Sequence, residues 1–285
     1  MKLHIILEKL IEDLTAKKFV PTKDVVSGSQ GSTTKLVKQD NQPETAYVKK
    51  IPKEAVIVLY NELSVRKIFE AINKAGRMYG FKHDLAPVPL EFTWEYEKDN
   101  NGEQIEIGTS GFNKSKGSIE EKLIKRFYSI PGSLVRNADL KHSANYSVSG
   151  GKSTKFYAFD FGFAFHPSLS FPKRYLEQYV EHAQKTQSYK MHQVAAFYVN
   201  FLKMNKSFLL ALLDKTLLEI KTKSRDPLIA TYHADYGADQ YHNVTLDQHN
   251  KNAKAILEEG IEQTIRLLNR LKTMPKKQKT NDSSE

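Results

Sequence analysis

Asp160-Phe161-Gly162 directly follows the aromatic run Phe156-Tyr157-Ala158-Phe159. A run this short and apolar reads as a buried strand. The carboxylate of Asp160 therefore leaves a strand end, and Gly162 permits a sharp turn behind it. Such a carboxylate suits Mg²⁺ held against phosphate oxygens, because this hard cation takes oxygen ligands and keeps several waters. Alone, the tripeptide reads equally well as an ordinary strand end. Its weight comes from the stretch Asp139-Leu140-Lys141-His142-Ser143-Ala144-Asn145, which begins 21 residues before Asp160 and ends 15 before it.

The elements that must position these groups can be read from periodicity. The chain has 285 residues, 40% apolar and 27% charged, with no cysteine. This is the composition of a soluble globular protein of one or two domains, without disulfides, thiolate metal sites or a Cys nucleophile. Leu3, Ile6, Leu7, Leu10, Ile11 and Leu14 predict an amphipathic N-terminal helix, because Glu8, Lys9, Glu12 and Asp13 break any signal-like or membrane-spanning run. It is expected to pack on the body of the protein, with a peripheral membrane helix as the alternative.

Asp24 to Ile51 predicts three short antiparallel strands, with turns at Ser27-Gly28-Ser29-Gln30-Gly31-Ser32 and Asp40-Asn41-Gln42-Pro43. Leu59, Leu63, Phe69 and Ile72 place one apolar stripe on a helix that ends near Gly76 or Gly80. Strands return at Val88 to Tyr96 and Ile105 to Gly108 around a polar hairpin loop, residues 98–102. Beyond Gly111 a helix is expected at 118–128, followed by Pro131-Gly132 and a loop. From Lys173 on the pattern is helical, over 175–186, 190–204, 208–220 and 247–272. Thr245 and Gln248 have capping-box spacing, and Leu257, Ile261, Ile265, Leu268 and Leu271 form the last helix's stripe. The tail 276–285 is polar and expected to be disordered. His233, Asp235, His242 and His249 gather near that helix without matching a zinc pattern, so a polar loop is the better reading.

The order and identity of these residues resemble the protein kinase superfamily. The matching positions are Asp139, Lys141, Asn145 and Asp160, and the resemblance spans roughly residues 24–167. It implies that Asp139 positions an attacking hydroxyl and Lys141 offsets transferred charge, with Asn145 and Asp160 holding Mg²⁺ or Mn²⁺. Gly28 and Gly31 look like a degenerate phosphate-covering loop, although a plain hairpin turn fits as well. Ala46-Tyr47-Val48-Lys49 resembles the strand presenting the nucleotide lysine, with Lys50 exchanging roles after a one-residue slip. Glu62 would be its partner, with Glu70 the substitute, and Glu106 to Gly111 would form the hinge behind adenine. The residues before Asp139 depart from the usual His-Arg, the loop to Asn145 is one residue longer, and no Ala-Pro-Glu follows. These departures resemble atypical, lipid-kinase-like and bacterial effector kinases.

Charge refines the expected partners. The net charge of +10 lies wholly after residue 111, where 27 basic side chains face 17 acidic ones, against 16 of each before it. Lys114, Lys116, Lys122, Lys125 and Arg126 are the densest group, readable as a solvated face or as a polyanion site for an inositol polyphosphate or phosphoinositide. Nucleic acid is disfavoured, since no recognition motif is present and the aromatics fall in apolar stripes.

The sequence thus implies an α+β, two-lobed protein-kinase-like fold. A small antiparallel β lobe with one helix (1–111) would precede a larger, mainly helical lobe (112–275) and a tail. The implied function is an atypical kinase transferring the γ-phosphate of ATP to a protein Ser, Thr or Tyr hydroxyl, with a polyanion as activator. The alternatives are a phosphoinositide kinase, a nucleotidyl-transferring relative, or a non-catalytic pseudokinase that binds anionic membrane. A soluble protein is expected, and the effector likeness would place it in a host cytosol after secretion.

Overall fold

The computed structural model describes residues 20–27, 33–38, 45–52, 55–88, 91–99, 102–112, 129–137, 146–149, 155–158, 161–167, 170–224, 229–231 and 243–271. Outside them lie the expected N-terminal helix, Gly28, Gly31, the 118–128 helix and all five basic residues from Lys114 to Arg126. Asp139, Lys141, Asn145, Asp160 and the tail also fall outside.

Five strands form one antiparallel sheet: β1 (Val20–Ser27), β2 (Thr33–Lys38), β3 (Thr45–Pro52), β4 (Glu91–Asp99) and β5 (Gly102–Phe112), in the order β1-β2-β3-β5-β4. The three strands expected before Ile51 are all present. The β4–β5 ladder closes at Asp99↔Gly102, so Lys98 and Asp99 belong to the strand and the hairpin loop is shorter than expected. Two intervening residues are the length favoured by right-twisted strands. Glu106 to Gly111, expected as a hinge, instead lies within β5, which pairs with β4 over residues 102–110 and with β3 over much of its length. With β3 on one side and β4 on the other, residues 106–109 have ladder partners on both edges and sit inside the sheet rather than in a single connecting strand.

Between β3 and β4 runs α1 (Val56–Met78), in which 20 of 23 residues are buried. The one-sided stripe read from the sequence is therefore only part of its contact surface. Charged residues inside it are buried with partners: Lys67 donates to Glu219 at 2.7 Å, and Arg66 pairs with Glu70 at 2.7 Å. Its end is set by Gly80 at φ 91, where Phe81 N–H donates to Gly76 C=O and Gly80 N–H to Arg77 C=O. That pair of bonds is the glycine-terminated helix stop. Gly76 is inside the helix, where a Cβ would stand 2.9 Å from Leu85 Cδ1.

Helix dominates the remainder. Residues 129–134 are helical through Pro131 and Gly132, where a loop was expected. Proline's fixed φ is already helical. β6 (Tyr146–Ser149) and β7 (Lys155–Ala158) form a hairpin, followed by α2 (Lys173–Thr186) and α3 (Tyr189–Lys223). The two helices expected at 190–204 and 208–220 are both present within α3, meeting at a kink at Asn205 (φ −119°), whose side chain donates to Phe201 C=O at 2.9 Å. Side-chain bonding to the preceding turn is a known way to bend a helix.

A short strand pair, β8 (Ile229–Thr231) and β9 (Asn243–Thr245), leads into α4 (Leu246–Leu268) and a 3₁₀ turn at Asn269–Leu271. Thr245 caps α4 by accepting from Gln248 N–H, but the Gln248 amide bonds Asn252, so only half of the expected capping box forms. Leu257, Ile261, Leu268 and Leu271 are buried as expected, with Ile265 half-buried.

Sheet and helices meet at Trp94. Its Nε1–H donates to Glu219 Oε1 at 2.9 Å, while Lys223 Nζ lies 4.2 Å from its ring centroid. Burial alone would raise the Glu219 carboxyl. The Lys67 ammonium and hydrogen bonds from Lys67 and Trp94 outweigh it and hold the group below the ordinary carboxylate range. Among the described residues no helix is long and apolar enough to cross a membrane.

Candidate active site

β6 and β7 position the two ends of the proposed chemistry. Their ladder runs from Ser149↔Lys155 to Tyr146↔Ala158, so the chain passes to Asn145 on one strand and toward Asp160 on the other from the same end of the hairpin. The separation read as a short strand pair is thus a closed hairpin.

The described residues after Asp160 are held firmly. Phe161 is 1% exposed and meets Phe69 of α1 edge to face, with ring centroids 5.5 Å apart. Its N–H donates to Glu62 Oε1 at 2.8 Å, and the next carbonyl, Gly162 C=O, accepts from Asn61 Nδ2 at 2.7 Å. Two adjacent residues of α1 therefore grip two adjacent residues of the loop. Ala164 N–H closes a turn on Phe161 C=O at 2.9 Å.

Of the two carboxylates considered, Glu62 is the one brought to this loop. It is buried, whereas Glu70 is half-buried and pairs with Arg66. For the lysine, the ladder separates the candidates by row. Position 49 pairs with Ile107, which pairs with Trp94, while position 50 pairs with Glu106, which pairs with Glu95. Trp94 is buried and Glu95 exposed. Directly paired residues share a face, so position 49 lies on the sheet face that carries Trp94.

Sequence reasoning gave Asn61 and the last helix no role here. Asn61 Oδ1 contacts His249 Nε2 of α4 at 2.8 Å, and the neighbouring pair, Tyr60 and Asn250, bonds from Tyr60 OH to Asn250 Oδ1 at 2.6 Å. Asn61 donates through its amide nitrogen to Gly162, so its oxygen is the acceptor and His249 Nε2 carries the proton. Burial, with the nearby His166 second, drives the His249 pKa down to about 3, which keeps the ring neutral. The sequence signal, recoverable only afterwards, is a histidine and an asparagine side by side near the start of a helix, with neither needed for its apolar stripe.

α4 also touches the segment that precedes Asp139. A Cβ at Gly260 would stand 2.4 Å from Leu134 C=O, and Arg136 is ion-paired with Glu259. Arg136 (φ 49) and Phe165 (φ 56) are both left-handed non-glycine residues, and Phe165 N–H donates to Val135 C=O at 3.0 Å. Such backbone costs about 1–3 kcal/mol per residue and gathers where surrounding structure over-determines a site. Here the two strained residues tie together the segments leading to Asp139 and away from Asp160.

Among the described residues no group of three or more His, Asp or Glu could hold a metal, and His233, Asp235 and His242 of the His-Asp gathering lie outside the described residues. Compared with protein-family models, with curated proteins and with solved structures, the chain matches none.

Proposed function

We propose that this chain is an atypical phosphotransferase with a two-lobed, kinase-like arrangement, which binds ATP with Mg²⁺ or Mn²⁺ and transfers the γ-phosphate to a protein hydroxyl. One observation supports this above the rest: buried Glu62 reaches the backbone of the Asp-Phe-Gly segment, 99 residues away in sequence. In this reading α1 carries the partner of the nucleotide lysine and also fixes the loop that begins at Asp160. Lys49, on the sheet face that carries Trp94, orients the α- and β-phosphates. Asp139 positions the hydroxyl, and Lys141 offsets charge on the moving phosphoryl group.

Asn145 and Asp160 supply amide and carboxylate oxygens, the donor set a hard divalent cation takes, and the β6–β7 register leads to both from one end. When bound, the cation would neutralise charge on the phosphate oxygens. The basic group from Lys114 to Arg126 adds a polyanion, such as an inositol polyphosphate, as activator. Calorimetry with such a compound is expected to show binding that Lys122→Ala, Lys125→Ala and Arg126→Ala together abolish.

The decisive experiment incubates the full chain with γ-labelled ATP, Mn²⁺ or Mg²⁺, a polyanion and a mixed protein extract, beside Asp160→Ala. Label on protein with wild type and none with the variant is expected. Equal labelling, or none with any activator, overturns the reading. Transfer of the AMP portion, traced with α-labelled ATP, indicates nucleotidyl transfer instead.

A further inference from the structure

α4 lies far from the loop in sequence but two hydrogen bonds from it in space. We propose that His249 is a positioning residue for the Asp160 loop, acting through Asn61 on the carbonyl of Gly162. The proposal rests on the phosphotransferase reading and assigns that site a support outside the segments that carry its motif.

The geometry has three parts. First, two neighbouring residues of α1 meet two neighbouring residues of α4, Tyr60 with Asn250 and Asn61 with His249. A double attachment fixes both the rotation and the axial register of one helix against the other. Asn250 is itself held by donating to Asp214 of α3 at 2.8 Å. Second, Asn61 is saturated in one sense only: its oxygen accepts from His249 and its nitrogen donates to Gly162 C=O. Flipping the amide would set its oxygen against the Gly162 carbonyl, which can only accept, so one orientation serves both contacts, and in it the Nε2–H of His249 holds the amide in place from the far side. Third, Gly162 C=O and Phe161 N–H are gripped by adjacent residues of α1. The Phe161 nitrogen belongs to the planar peptide group shared with Asp160. Fixing it from one side and Gly162 from the other holds the backbone of the two residues that follow Asp160.

A histidine that is fully buried, neutral and a hydrogen-bond donor could also serve stability alone. The test separates the two roles with His249→Phe and His249→Gln in the full chain. Phe keeps a ring against Tyr60, whose edge contact has a centroid distance of 4.9 Å, but has no donor. Gln offers an amide N–H at the reach of Nε2. The readouts are the Mn²⁺ concentration giving half-maximal phosphotransfer, amide exchange across residues 161–165, and thermal stability.

His249→Phe is expected to raise the half-saturating Mn²⁺ concentration about tenfold or more, as loss of outer-shell support at metal ligands does. It should also speed exchange across 161–165, and His249→Gln should recover both. A variant that loses thermal stability with metal dependence and exchange unchanged overturns the proposal. If His249→Phe does not fold, Asn61→Leu is read in its place and must give the same pair of changes. Faster exchange in the variants with no phosphotransfer by any form, wild type included, removes the phosphotransferase reading and leaves the coupling. Wild-type transfer with unaltered metal dependence in every variant removes the coupling and leaves that reading.

Discussion

Replacing Gly260 by Ala sets two effects of known sign against each other. In a helix interior, Ala is favoured over Gly by about 1 kcal/mol. The new Cβ, however, would stand 2.4 Å from Leu134 C=O and 3.3 Å from its carbonyl carbon. The obstacle is backbone, so no side chain can rotate away; helix and carbonyl must separate by roughly 1 Å to reach ordinary contact. Overpacking of this kind costs about 1–3 kcal/mol. The net expectation is a loss of about 0–2 kcal/mol, the sum of that cost and the helix gain. Urea unfolding of the full chain measures it. The same displacement moves the segment that runs from Leu134 through strained Arg136 toward Asp139, so phosphotransfer should fall more than stability does. A variant about 1 kcal/mol more stable than wild type, the bare helix gain, would refute the close approach.

Three further outcomes follow from the geometry. Glu62→Gln keeps an oxygen for Phe161 N–H and should unfold near wild type yet lose activity with its charge, whereas Glu62→Ala leaves that buried N–H without its acceptor and should cost a further 1–3 kcal/mol, roughly, by chemical denaturation. The depressed His249 pKa means that the unfolded chain binds a proton which the folded chain refuses between about pH 6.5 and 3. Stability from this group is therefore complete above pH 6.5 and declines below it by up to about 1.4 kcal/mol per unit. His166, also lowered by burial, adds in the same direction. Unfolding measured from pH 7 to 5 should show a shallower slope in His249→Phe, and an equal slope would contradict the buried neutral ring. Glu219→Leu removes the carboxylate shared by Lys67 and Trp94. With Glu219 a third exposed, the loss should lie near about 3 kcal/mol. Trp94 is the sole tryptophan, so its emission maximum should shift in the same variant.

The sequence made the strands and most helices legible because their signals are local. Val25-Val26 and Tyr47-Val48 declare strands by composition, and Thr245 declares a helix start by one side-chain oxygen. Gly76 and Gly80 were not separable from sequence alone; only Gly80 takes a left-handed φ, while Gly76 answers to the nearby Leu85. The hinge placement failed because strand length depends on ladder partners, and β5 has partners on both edges. Glu62 was legible as a charge beside an apolar stripe. Asn61 and His249 were not, because each looks like an ordinary polar residue until a fold brings together positions 188 apart. The burial of α1 was hidden for the same reason, since its polar residues find their partners on α3, α4 and the loop after Asp160.

The contacts around Tyr60, Asn61 and Glu62 also bear on when the site comes into being. They join positions 99 to 190 residues apart, and the longest of them end in α4. A ribosome releases the strands, α1 and the Asp-Phe-Gly segment well before it releases His249. Long loops must close before such contacts form, so they belong to the late stage of folding. Until α4 docks, the nascent chain holds the groups of the proposed site without the brace that aligns them, so the arrangement can form only after α4 has left the ribosome.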